Sequence, residues 1–275
     1  MPPRISVVVN TLNEERNLPV ALRSVKPWAD EIVVCDMKSE DKTQEIARSF
    51  GAVLVEHERV GYADPARAFA VAQATGDWIL MLDADELVPP PLSRRLREIA
   101  AADAADVVAV HWFNYFLGGR MRATGWGPYQ EVHARFFKKG SLTTTGDVHD
   151  FIRVAPGARR LELPCRDGEA VVHFNYVDVE HFIEKLNRYT SIEARTAKGG
   201  TVRALFSAWR EFVRRFVFRK GFLDGWRGLY LSLFMSFYKL AVFAKARELR
   251  EVGPRDRILD SYRREAEKWL EGYGR

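Results

Sequence analysis

Four short apolar runs punctuate the first third of the chain, and each stops at a polar residue or turn. They are RISVVV (4–9), EIVVC (31–35), AVLV (52–55) and WILML (78–82). Runs of this length, rich in β-branched residues, read as buried strands. Helical segments lie between them. Leu18, Leu22 and Val25 recur at helical spacing, and TQEIARSF (43–50) ends against Gly51. DPARAFAVAQAT (64–75) offers Asp as an N-cap, Pro at the first helical position and Gly76 as a stop. Strand alternating with helix predicts an α/β fold with a mostly parallel central sheet.

In such a sheet, ligands gather at the carboxyl ends of the strands. The polar clusters fall there: NTLNEERN (10–17), Asp36, and the Asp83, Asp85 and Glu86 of MLDADEL (81–87). Carboxylate oxygens suit hard divalent cations, and two Asp at i and i+2 on a turn can point at one ion. A cation held there can hold a diphosphate and neutralise the charge that develops as the diphosphate leaves. An isolated Asp-x-Asp is more often a solvated turn. Its place after a strand of a parallel sheet favours the metal.

From about residue 107 the pattern changes. VVAVHWFNYF and HARFFKK predict aromatic-rich antiparallel strands, with GGRMRATGWGP (118–128) as a loop between them. Residues 161–176 predict another strand pair, and the chain is mostly helical from Glu180. No internal repeat is evident.

Three blocks in the first ninety residues resemble glycosyltransferase family 2, which has the GT-A fold. They are SVVVNTLNEERNL (6–18), EIVVCDMKSEDKT (31–43), and Ala66-Arg67-Ala68 followed by Gly76-Asp77 and Leu82-Asp83-Ala84-Asp85-Glu86. The resemblance implies a nucleotide-sugar donor, with UDP expected, and a divalent metal, Mg or Mn. It implies donor contacts by Thr11, Asn13, Glu14 and Asp36 at the base and ribose. Arg67 would approach the donor, Asp83 would lie near the ribose or metal, and Asp85 would be the principal metal ligand. Met37-Lys38 stands where the family often has Asp-Gly, so nucleotide contacts are not carried over to those two positions. Structural alternatives stay open: Glu14 as an acid in a first helical turn, Asp36 as a helix cap, Arg67 as a solvated helix residue.

Inverting transfer needs a base to deprotonate the acceptor hydroxyl. Val148-His149-Asp150 resembles the Val-His-Glu element of bacterial lipopolysaccharide-core β-glucosyltransferases, with Asp in place of the usual Glu. Trp126-Gly127-Pro128 and Ala134–Gly140 resemble the same subgroup. This makes Asp150 the expected base and Asp147 the alternative. His173, after Val171-Val172, is a candidate metal ligand or a structural histidine. Lys185, Arg188 and Tyr189 of VEHFIEKLNRYTSIEA (179–194) face donor or acceptor, or belong to a packing helix.

Charge is unevenly spread. Residues 201–275 hold 17 Lys and Arg against 9 Asp and Glu, whereas the rest hold 25 against 28. Aromatic and aliphatic residues interleave with these basic groups. The apolar stretch Leu229–Ala244 contains Lys239 and falls short of the roughly 20 residues of a spanning helix. An interfacial helix on an anionic membrane fits better, with Arg210, Arg214, Arg215, Arg219 and Lys220 toward headgroups. Packing on the sheet and an oligomer interface are the alternatives. No nucleic-acid motif is present.

The chain thus predicts a catalytic domain over 1–178, split at about residue 100 into donor and acceptor halves, and a basic helical extension over 179–275. The expected activity is inverting, metal-dependent transfer of a sugar to a hydroxyl of a lipid-linked glycan such as lipopolysaccharide core. The rivals are a polyprenyl-phosphate transferase of the same fold, a non-catalytic nucleotide-sugar or membrane scaffold, and a nucleotidyltransferase. Two cysteines, Cys35 and Cys165, suit a reducing compartment. MPPRISVVVN lacks a signal-peptide shape, so the expected place is cytoplasmic, on the inner face of the cell membrane.

Overall fold

The computed structural model describes residues 1–59, 64–144 and 152–274. It forms two compact units, Met1–Val177 and Asp178–Arg275.

In the first unit the elements follow the order β1 (Ile5–Thr11), α1 (Leu18–Val25), β2 (Glu31–Asp36), α2 (Thr43–Ser49), β3 (Val53–Glu56), α3 (Asp64–Gln73), β4 (Trp78–Asp83), β5 (Glu86–Leu87) and α4 (Pro90–Ala101). Then come β6 (Val107–Phe116), β7 (Gly119–Arg120), β8 (Val132–Lys138), β9 (Leu142–Thr144), β10 (Ile152–Val154), β11 (Arg160–Glu162) and β12 (Val171–Tyr176). Among the described residues the main sheet runs β3-β2-β1-β4-β8-β6-β12-β5, with β7 and β11 also on β6. The first four strands are parallel. β1 sits between β2 and β4, which explains its unbroken burial from Ile5 to Thr11.

β8 enters antiparallel to both β4 and β6, as the aromatic-rich runs predict. Residues 161–176 hold two strands that do not pair with each other. β11 and β12 each lie parallel to β6, at different positions along it. Their alternation reflects a shared neighbour and not a hairpin. The apolar core fills both sheet faces. One face packs Val7, Leu18, Leu22, Leu80, Leu92 and Phe136. The other packs Val8, Val33, Ala66, Ala70, Ile79 and Met81.

The second unit comprises α5 (Val179–Ala194), α6 (Thr201–Val213), α7 (Gly225–Glu251) and α8 (Arg255–Leu270). Asp178 caps α5 by accepting from the His181 backbone N–H at 2.8 Å. Lys245 ties α7 to α5 by donating to Asn187, Thr190 and Ser191. Residues Gly221–Glu251, including α7, are long and apolar enough to cross a membrane by length and composition, with mean hydropathy 1.3 in the best window. The expectation of a stretch too short to span rests on the apolar run Leu229–Ala244, and α7 continues past that run on both sides with charged residues among its turns.

Candidate functional site

The first two strand ends are cross-linked by their own side chains. The Asp36 carboxylate, fully buried, accepts from Thr11 Oγ1 at 2.9 Å, from the Ser39 backbone N–H at 2.8 Å and from Gln44 Nε2 at 2.8 Å. Asn13 adopts a left-handed backbone (φ 57°), which Asn tolerates better than most residues. Its N–H donates to Ser39 Oγ, and its Oδ1 accepts from the Glu40 N–H, each at 2.8 Å. The Glu14 N–H donates to Thr43 Oγ1, and Glu14 Oε2 accepts from Asn17 Nδ2. Thr11, Asn13, Glu14 and Asp36 are therefore brought together, and their polar atoms hold the two turns in shape. Asn10, not singled out from the sequence, is 8% exposed, and its Oδ1 has no hydrogen-bond partner among the described residues. It lies opposite Asp83 in the β1–β4 register.

The end of β4 carries the charged cluster. Asp83 accepts from Arg67 Nη2 at 2.6 and 2.7 Å and from Arg135 Nη2 at 3.2 Å. Burial alone would raise the Asp83 pKa, but the two guanidinium groups outweigh it and hold the carboxyl well below its usual range. Glu86 is 2% exposed. It accepts from the Asp83 backbone N–H at 2.9 Å and from Trp112 Nε1 at 2.6 Å. Burial, reinforced by the Asp83 charge, pushes its pKa up. The Arg135 guanidinium also lies 5.3 Å from the Trp112 ring.

Asp85 and His173 meet beside this cluster. β12 pairs with β5 on one side and β6 on the other, so His173 stands opposite both Glu86 and Asn114. Its Nε2 lies 3.5 Å from Asp85 Oδ2. Its Nδ1 lies 2.7 Å from Asn114 Oδ1. Asn114 Nδ2 donates to Trp126 O and to Glu131 Oε2, so the amide is fixed with its oxygen toward the imidazole. Nδ1 is then the protonated nitrogen, and Nε2 is turned toward Asp85. Burial would lower the His173 pKa, but the Asp85 contact and the charges of Glu86 and Asp83 carry the net shift upward.

No three His, Cys, Asp or Glu side chains converge as a metal cage among the described residues. Asp85 and His173 could together supply two ligands to a metal. That fits Mg or Mn, which complete their shells with water and phosphate oxygens. It does not fit a closed zinc site. Arg67 and Arg135 also line a cavity of about 590 Å³ with His133, Arg160 and Glu162.

Asp147 and Asp150, the candidate bases, lie outside the described residues. Arg188 and Tyr189 are exposed on α5, whose buried face is Phe182, Leu186, Thr190 and Ala194. Trp112, Asn114 and Arg135 are polar groups at these strand ends to which the sequence assigns no role. Only the long-range strand pairing brings them here.

A model of glycosyl transferase family 2 matches residues 6–161. An uncharacterized glycosyltransferase of Rickettsia bellii (strain RML369-C) is 28% identical over 256 residues, covering 90% of this chain and 87% of that protein. The low-salt glycan biosynthesis hexosyltransferase Agl6 of Haloferax volcanii is 39% identical over 89 residues, covering 30% of this chain and 21% of that protein. Glucosyl-3-phosphoglycerate synthase from Mycobacterium tuberculosis, solved with Mn²⁺ and UDP-glucose, is 27% identical over 41% of this chain and 44% of that one, with a TM-score of 0.35.

Proposed function

Because this chain belongs to glycosyl transferase family 2 and is a glycosyltransferase, we propose that it transfers a sugar with inversion from a UDP-linked donor to a hydroxyl of a lipid-linked glycan, such as a lipopolysaccharide core. The observation that carries this reading is the Asp85–His173 pair beside the arginine-paired Asp83. A divalent cation, Mg or Mn, is the cofactor. Asp85 and His173 would hold it, and it would bind the donor diphosphate and offset the charge that develops there.

The protein's own groups supply the rest. Asn114 holds the His173 proton on Nδ1 and so keeps Nε2 available. Asp83 fixes the Arg67 guanidinium at the donor side of the cleft and draws Arg135 to the same strand end. The turns built on Thr11, Asn13, Glu14 and Asp36 form the base and ribose end. The Asn10 Oδ1 supplies an acceptor for a donor-side hydroxyl or N–H. Asp150 takes the acceptor proton, with Asp147 as the alternative base. The basic, apolar surface of the helical unit supports a place on the inner face of the cell membrane, where a lipid-linked acceptor resides.

Calorimetric titration of UDP, GDP and CDP, with and without Mn²⁺, on the native chain and on Asp85→Ala tests this. Metal-dependent UDP binding lost in the variant is the expected result. Absence of binding by all three nucleotides would remove the donor-site reading.

A further inference from the structure

The helical unit reverses the usual polarity of a protein surface at one end. α6 and α7 run antiparallel: Ser236 Oγ donates to Ala208 O at 2.8 Å, and Arg247 Nη1 donates to Thr201 Oγ1 at 3.2 Å. The closed end is made by a π-turn, Arg214–Phe218, and a 3₁₀ turn, Gly221–Asp224. Ala204, Ala208, Gly228 and Ser232 are buried, and the two helices pack closely. A Cβ on Gly228 would lie 1.9 Å from the Gly221 carbonyl oxygen, so only glycine allows the closed end to fold back this tightly. Glu211 and Arg215 are also buried, paired at 2.6 Å.

The large apolar side chains point the other way. Trp209, Phe218, Phe222, Leu223 and Trp226 are each more than half exposed, Phe218 by 77%. A helix pair in water buries such groups and exposes its charges. Small residues and a satisfied ion pair inside, with aromatics outside, is the pattern of helices whose surroundings are apolar. Val202, Leu205 and Leu249 are also exposed toward the open end, but the large exposed groups that cluster around the closing turns are Phe218, Phe222, Leu223 and Trp226. At the open end α7 exposes Arg247, Glu248 and Arg250.

Charge selects the occupant. Between residues 201 and 230 there are seven basic residues and two acidic ones. Arg210 and Lys220 are exposed among the aromatics. A second copy would bring the same positive charge to the same patch. An anionic lipid surface satisfies both the charge and the apolar area.

We propose that the closed end of the α6–α7 hairpin is a lipid-inserting edge, seated in the interface of an anionic leaflet with Phe218, Phe222 and Leu223 at its tip. Arg215 takes no part in headgroup binding, contrary to the sequence expectation, because it is held inside by Glu211. This deepens, and rests on, the reading that the acceptor is lipid-linked. Its test needs neither donor nor acceptor.

The test is co-sedimentation of the full-length protein with vesicles of phosphatidylcholine and phosphatidylglycerol, and with phosphatidylcholine alone. Anionic vesicles are expected to bind at least about tenfold better. The triple variant Phe218→Ser/Phe222→Ser/Leu223→Ser should lose about tenfold or more of that binding. Its helicity and UDP affinity should be unchanged, and Tyr262→Ser on α8 should bind as the native chain does. An environment-sensitive dye on Leu223→Cys, in a Cys165→Ser background, should shift to the blue on vesicle binding. Native-like binding by the triple variant would overturn the proposal. So would vesicle binding without a dye shift, which signifies surface charge alone, or a dimer dispersed by the triple variant with no vesicle binding. Loss of UDP binding with intact vesicle binding would count against the transferase reading and leave the lipid edge standing.

Discussion

Asp85 and His173, 88 residues apart and in different halves of the first unit, face each other at 3.5 Å because β12 lies between β5 and β6. Neither residue is next to the other in sequence logic. The sheet register alone pairs them, and Asn114 sets which imidazole nitrogen is turned inward.

Asn114→Ala should lower Mn²⁺ affinity about 10–100-fold without touching a metal ligand. Electron paramagnetic resonance of bound Mn²⁺ reads this directly. Asp85→Asn should do at least as much and should cost activity about 10²–10³-fold. Unaltered Mn²⁺ binding in both variants would move the metal elsewhere.

Asp83→Asn should leave Arg67 and Arg135 short of their shared counter-charge. With side chains 14–24% exposed, the expected loss is about 1–3 kcal/mol, below the range for a fully buried pair. Urea denaturation measures it. Arg67→Lys should raise the donor KM, because a compact, strongly hydrated ammonium on a flexible stem does not take the fixed place of the guanidinium whose Nη2 lies 2.6 and 2.7 Å from the two Asp83 oxygens.

Much of this was legible in the sequence where the determinants are local. The four parallel strands, their helices and the acidic turn after β4 follow from short apolar runs and stop residues. The partners of Glu86, Trp112 and Arg135 were not legible, because they meet only through the pairing of β4 with β8 and of β6 with β8 and β12. Asp36 reads from its motif as a donor contact. The structure adds that its carboxylate already accepts from Thr11, Ser39 and Gln44, a local network that no spacing rule reveals. Arg215 reads as one more surface cation, and only the packing of α6 shows it turned inward.

Asp150→Asn should lower kcat about 10²–10⁴-fold while UDP binding stays native. Asp147→Asn, assayed in parallel, identifies the alternative base. An acceptor that is itself a phosphate needs no base. A small effect of both variants would therefore favour the polyprenyl-phosphate reaction over transfer to a hydroxyl.

Glu211→Ala should destabilise the helical unit by about 3–5 kcal/mol, since it leaves the Arg215 charge buried and unpaired. Burial would raise the Glu211 pKa, but Arg214 and Arg215 outweigh it and hold the carboxyl below its usual range. A depressed carboxyl contributes stability that is present above its unfolded pKa and is lost as pH falls through the folded one. Thermal melts should therefore weaken on acidification through and below the ordinary carboxylate range, and Glu211→Gln should flatten that dependence.

The pairing of β5 with β12 also has a consequence for synthesis of the chain. β1 to β4 can align with one another once the first ninety residues have been made, since the pairings among these four strands lie within that stretch. His173 arrives only when β12 slots in beside β5 and β6, a long-range closure that comes late and slowly. A nascent chain can thus hold the turns built on Thr11, Asn13, Glu14 and Asp36, and Asp85 after β4, well before His173 can face Asp85. The Asp85–His173 contact is therefore a property of the finished sheet, and no shorter nascent chain can hold it.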